Sequence, residues 1–245
     1  RSFSSDEVRE QKPSSRAVAE RWLPKPEILE TTTGMHRFVW NLTWGGMAGN
    51  AAGMINGDEY RTLRSPRAVP GTYQVRLTID GRTFSQPLKI VMDPRSSATA
   101  RDLSEQFRLG REIFAEAVAS RKVLSEIKSV QTQLTDLEGK LAGHADLKSA
   151  ISQLENEIRK IQAGNDDSSA KSEGLETISS GLGSALTVVE SSDRPVPSQA
   201  IALYHESSEA LKLRVGEWDH VKTNWLPQLN QHLRRNNFAP IAFGD

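Results

Sequence analysis

Between Pro70 and Arg95 apolar and polar residues alternate. Tyr73, Val75, Leu77 and Ile79 fall on one side, and Gln74, Arg76, Thr78 and Asp80 on the other, the period of a half-buried strand. Asp80-Gly81 supplies the two positive-φ positions of a tight turn, so the stretch predicts a β-hairpin. The return strand puts Phe84, Leu88, Ile90 and Met92 on an inward face, with one irregularity near Pro87. A proline has no N–H to donate and belongs on an edge or at a bulge. Residues 35–44 alternate in the same way: Phe38, Trp40, Leu42 and Trp44 share a face opposite Arg37, Val39, Asn41 and Thr43. Four large apolar groups on one side predict a strand with a buried face.

After Arg95 the period changes from two to 3.6. Ser96, Ser97 and Thr99 are N-cap candidates, and Asp102 and Glu105 suit the first turn of a helix. Leu103, Phe107, Phe114, Ala117, Leu124, Ile127, Leu134 and Leu141 recur on one helical face, with a weak patch around Gly110. Gly139, Gly143 and His144 predict a bend. Leu147, Ile151, Leu154, Ile158 and Ile161 then form a heptad seam, expected to run antiparallel to the first helix. Residues 164–174 are a polar turn, and Leu175, Ile178, Leu182, Leu186 and Val189 make a third, shorter helix. Ser198 is the expected cap of a last long helix, which Pro227 kinks or restarts. The tail after Asn236 is apolar enough to dock.

These elements predict an α+β chain of two domains. Residues 1–95 are expected to form an antiparallel β-sandwich with an irregular N-terminal segment, in which Arg1–Ser5 is readable as a short edge strand. Residues 96–245 form an elongated antiparallel helical bundle of three to four helices. Two features are candidates for an interaction surface. Trp22 precedes Leu23-Pro24-Lys25-Pro26, a segment biased to extended geometry that can lie across a sheet. The loop 45–64 is rich in Gly, Ala and Met, and Met47, Met54 and Ile55 are suited to covering a neighbouring surface.

Composition narrows the chemistry. Lys+Arg and Asp+Glu both number 31, so the chain of 245 residues is formally neutral, which argues against a nucleic-acid module. The absence of cysteine removes thiol catalysis, disulfides and cysteine zinc sites. No apolar run is long enough to span a bilayer. His36, His144, His205, His220 and His232 do not fall at metal-ligand spacing, and Asp58-Glu59 and Asp166-Asp167 lie in loops without an apolar pocket to raise a pKa. No nucleophile elbow, P-loop or dinucleotide fingerprint is present. No catalytic residue, cofactor or metal site is therefore assigned. The start at Arg1, without methionine, is read as that of a piece of a longer polypeptide.

GMHRFVWNLTW, VPGTYQVRLTIDGRTFSQPLKIVMDPR and the closing WDHVKTNWLPQLNQHLRRNNFAPI together resemble the C-terminal part of bacterial exported proteins with a sortilin-like, BNR-repeat β-propeller, often labelled glycosyl hydrolases. The resemblance covers most of the chain from Gly34 on, apart from the middle helices. It implies an immunoglobulin-like module, secretion or a periplasmic location, and a partner in an upstream propeller of the same polypeptide. It brings no catalytic residues, since the family's active site would lie in the propeller. The expected role is a non-catalytic accessory region docked on that propeller. The alternative is a carbohydrate- or cell-wall-binding module, with Trp22 or Trp44 stacking on a sugar of a glycan or cell-surface partner.

Overall fold

The computed structural model describes residues 2–6, 29–45, 63–141, 143–165 and 172–242. Strands β1 (Gly71–Ile79) and β2 (Arg82–Ile90) form a hairpin, followed by α1 (Ala100–Glu138) and α2 (Ala145–Ala163). Short strands β3 (Gly164–Asn165) and β4 (Ser172–Glu173) pair with each other before α3 (Leu175–Val189). Then come α4 (Ser198–His220), a π turn (Val221–Trp225) and α5 (Leu226–Arg235).

Helix α1 is about 58 Å long at 1.5 Å per residue. It starts in a reciprocal capping box: Thr99 Oγ1 accepts the Asp102 N–H at 3.1 Å, and Asp102 Oδ2 accepts the Thr99 N–H at 2.8 Å. Leu103, Gln106, Gly110, Ile113, Ala117, Ser120, Leu124, Ile127 and Leu134 are buried in three-four spacing along it. Helices α2 and α3 run back down this seam in succession. Gln131 Nε2 donates to Gln162 Oε1 at 2.9 Å near the top, and Ser120 Oγ donates to Ser179 Oγ at 3.0 Å lower down. Gln106 then donates to the carbonyls of Val189 and Ser192, closing the open end of α3. Helices α4 and α5, joined through the π turn, rise again parallel to α1. Glu116 meets Tyr204 and Ser208, and ten residues further on Glu126 meets Trp218 and Lys222.

Ile113, Ile127, Leu134, Ile151, Ile158, Leu175, Ile178, Leu182, Trp218 and Leu226 are fully buried among these three layers. Each such side chain contributes roughly 1.5–3 kcal/mol of transfer free energy. The C-terminal segment is held by two amides. Asn230 Oδ1 accepts the Ile241 N–H at 2.7 Å while its Nδ2 donates to the Ile241 carbonyl. Gln133 brackets Ala242 in the same two-sided way, with both bonds at 2.8 Å.

Pro227 lies in the first turn of a new helical segment, α5, the second of the two expected outcomes. Its missing N–H is absorbed by the π turn, in which the Leu226 N–H reaches the Val221 carbonyl five residues back. Side chains also reach carbonyls at the turn: Thr223 Oγ1 donates to Asp219 O at 2.8 Å and Asn224 Nδ2 to His220 O at 3.2 Å. Ser198 is the first helical residue of α4, with Pro197 at the cap position.

The described residues form no immunoglobulin-like β-sandwich. Among the described residues there are only two sheets, each of two strands: the hairpin and the β3–β4 pair. Residues 35–44 do not extend into a strand, for local reasons. Leu42 has a φ of 61°, which breaks the extended run, and Asn41 Oδ1 accepts both the N–H and the hydroxyl of Thr43, a turn that competes with strand pairing. What remains is a single antiparallel bridge between Thr43 and Arg67. Residues 2–6 are irregular too, with Phe3 edge-on to Phe38 at 4.6 Å. With no other sheet to cover it, the face of Phe38, Trp40, Leu42 and Trp44 expected to be buried is only partly so: Phe38, Leu42 and Trp44 are 41%, 37% and 43% exposed and Trp40 is half-buried.

Candidate interaction surface

The hairpin register runs unbroken from Gly71↔Ile90 to Ile79↔Arg82 and pairs Gln74 with Pro87 directly, so the irregularity expected at Pro87 does not occur. Asp80 and Gly81 have φ of 46° and 78°, the two positive values of a type I′ turn. Paired residues share a face, which sorts the ribbon completely. Tyr73, Val75, Leu77 and Ile79 lie beside Phe84, Leu88 and Ile90 on one side, with Gln86 opposite Val75 and Arg82 opposite Ile79. Thr72, Gln74, Arg76, Thr78, Thr83, Ser85, Pro87 and Lys89 occupy the other. Toward the turn the apolar side faces solvent, with Val75, Leu77, Ile79 and Phe84 49%, 51%, 52% and 58% exposed, while Tyr73, Leu88 and Ile90 are half-buried and Tyr73 meets Trp40 edge-on at 6.2 Å.

Next to the hairpin, two stretches of chain clasp each other over the N-terminal part of α1. The Trp44 N–H donates to Pro66 O at 2.7 Å, the Ala68 N–H to Leu42 O at 2.6 Å, and the Gly45 N–H to Ser65 Oγ at 2.7 Å. Trp44 meets Phe107 of α1 edge-on at 5.2 Å, and the Arg111 guanidinium lies 5.6 Å over the Trp44 ring. Pro66 and Glu190 both press on Gly110. A Cβ there would come within 2.9 Å of Glu190 Oε1 and 3.0 Å of Pro66 Cγ, so the weak patch in the α1 stripe is the seat of this contact. Glu190 Oε2 accepts the Arg67 N–H at 3.1 Å. Burial pushes the Glu190 carboxyl above the usual carboxylate range, against the pull of the Arg67 amide and charge.

A second polar cluster lies between α1 and α4. Glu116 Oε1 accepts the Tyr204 hydroxyl at 3.1 Å and the Ser208 hydroxyl at 3.0 Å, while its Oε2 is buried without a hydrogen bond. Burial and the Glu116 charge push the Tyr204 phenol up to about 12. Trp218, fully buried, donates its indole N–H to Glu126 at 2.8 Å, and Lys222 reaches the same oxygen at 3.5 Å. These acids fix the register of α4 on α1 and are not arranged around an apolar cleft.

Trp22, Met47, Met54 and Ile55 lie outside the described residues. The apolar hairpin face was missed as an exposed surface because strict alternation predicts only that one side is buried against something, not what that something is. Charge is unevenly spread as well. Residues 63–95 carry Arg64, Arg67, Arg76, Arg82, Lys89 and Arg95 against Asp80 and Asp93 in a chain that is neutral overall. Among the described residues no group of three or more His, Asp or Glu is placed to hold a metal ion, and no helix is long and apolar enough to cross a membrane. Compared with known proteins, the chain matches no family model, no curated protein and no solved structure.

Proposed function

We propose that this chain is a non-catalytic interaction region of a larger exported protein, in which the helices brace a β-hairpin that docks on an upstream part of the same polypeptide, a β-propeller by the resemblance given above. The observation that carries the reading is the exposed, predominantly apolar hairpin face. An isolated two-stranded ribbon is marginal in water, and a face of this composition gains stability only when covered. The clasp supports the same reading, because Trp44, Pro66 and Glu190 tie the base of the hairpin to α1.

The glycan-binding alternative has less support. A sugar-stacking tryptophan needs an open ring face, whereas Trp44 has Phe107 at its edge and Arg111 over its ring. Titrating the chain with the polypeptide that precedes Arg1 in the full-length protein tests the docking reading. Saturable binding with a negative heat-capacity change, lost in the double variant Leu77→Asp/Phe84→Asp, is the expected result. Equal binding by the double variant would remove the hairpin from the interface.

A further inference from the structure

The two edges of the hairpin are not equivalent. In a two-residue hairpin the pair flanking the turn, Ile79↔Arg82, exchanges both backbone hydrogen bonds, and pairs then alternate along the ladder. Gln74↔Pro87 therefore falls at a non-bonded position, where the backbone groups of both residues point outward. The outer edge of β2 loses its donor at Pro87. The outer edge of β1 keeps its full set at Thr72, Gln74, Arg76 and Thr78, all exposed, and among the described residues nothing pairs with it.

We infer that the outer edge of β1 takes an added strand, an extended peptide segment with apolar residues at alternate positions and acidic residues between them. This rests on the interaction reading above and names the chemistry of the partner. The apolar positions would continue the face of Tyr73, Val75 and Leu77. The intervening ones would stand beside Arg76 on a polar face that carries Arg76 and Lys89 and no acid. Opposite charges on neighbouring strands stabilise the pairing, and like charges oppose it. A second copy of this chain fits less well. Stacking two hairpin faces buries roughly 300 Å² per partner, from strands about 30 Å long and two strands wide. A stable interface needs about 800 Å² per partner. Edge-to-edge pairing of two copies also brings two basic polar faces together. An added strand is held by its main-chain hydrogen bonds, so the small apolar area is no obstacle.

The test uses the isotope-labelled full chain and a synthetic eight-residue peptide alternating valine and glutamate, with a valine–lysine peptide as its counterpart. Saturable shifts confined to the amides of Thr72, Gln74, Arg76 and Thr78 are expected, with the lysine peptide at least about fivefold weaker. Gln74→Pro, which deletes the central outward donor, abolishes binding. Arg76→Glu, which leaves the backbone ladder intact, reverses the preference between the two peptides. Shifts on the outer edge of β2, equal affinity for both peptides, or no saturation by ~1 mM would overturn the inference. If the peptides fail while the upstream polypeptide binds through Leu77 and Phe84, the edge assignment falls and the docking reading stands. If the acidic peptide binds as stated and the upstream polypeptide does not, the edge assignment stands and its occupant is another strand of this chemistry.

Discussion

Glu190 Oε2 accepts the backbone N–H of Arg67 at 3.1 Å, joining residues 123 positions apart. The carboxylate sits just past the end of α3, and the amide belongs to the segment that leads into the hairpin. Gly110 of α1 provides the space in which both meet.

A side chain at Gly110 should therefore separate the clasp from the helices. Gly110→Leu forces its Cβ against Glu190 and Pro66, an overpacking cost of about 1–3 kcal/mol. Urea unfolding reads the loss, and the Trp44 near-ultraviolet signal should weaken as its contact with Phe107 loosens. An unchanged midpoint and spectrum would mean that the clasp does not rest on Gly110.

The Glu190 carboxyl gives the contact a pH dependence of definite sign. Its folded-state pKa lies above the ordinary value of 4.5 because burial opposes ionisation. The folded state thus holds the proton more tightly than the unfolded chain. The penalty is absent below about 4.5 and grows as pH rises through the folded-state value. Relative to Glu190→Gln, the native chain should lose stability across that window. Unfolding free energies of both proteins, measured from pH 4 to 8, check the trend. A native chain that gains on the variant with rising pH would contradict it.

Helix α4 is keyed to α1 by Glu126. Removing this carboxylate in Glu126→Ala leaves the fully buried Trp218 without its indole N–H acceptor and Lys222 without one of its two acids. A buried donor left unpaired costs about 1–3 kcal/mol. Thermal unfolding and a shift in Trp218 fluorescence report the change.

Tyr204 offers a spectroscopic test of the other acid. In alkaline difference titrations against Tyr204→Phe, the Tyr204 phenol should ionise near 12, and Glu116→Gln should bring that value down by removing a neighbouring charge. Because the folded-state value lies above the ordinary 10, stability should fall as pH rises from 10 toward 12. A Tyr204 titration unaffected by Glu116→Gln would separate the two groups.

Local signals were readable where they are complete in the sequence. Thr99 and Asp102 carry the α1 cap within four residues, and Asp80-Gly81 carries the hairpin turn. The seam residues of α2, Leu147 to Ile161, are all buried. What was not legible depends on distant partners. Gln106, Ser120 and Gln131 occupy seam positions of α1 because each finds a hydrogen bond on a returning helix, which periodicity reads as interruptions. The residues 35–44 show the converse. Their alternation is that of a strand, yet the Asn41–Thr43 turn and the positive φ of Leu42 win, since among the described residues no neighbouring strand rewards extension. The apolar hairpin face gives the same lesson at the level of function: alternation marks a surface that needs a cover without naming the cover.

Hydrogen exchange of residues 71–90, in this chain alone and within the full-length protein, tests the central claim most directly. The account predicts rapid exchange at the outward amides of β1 in the isolated chain. In the full-length protein those amides should exchange about a hundredfold more slowly, as for a contact present at about a hundred times its dissociation constant. Equal exchange at Thr72, Gln74, Arg76 and Thr78 in the two forms would contradict it, leaving the outer edge of β1 without an added strand from its own polypeptide.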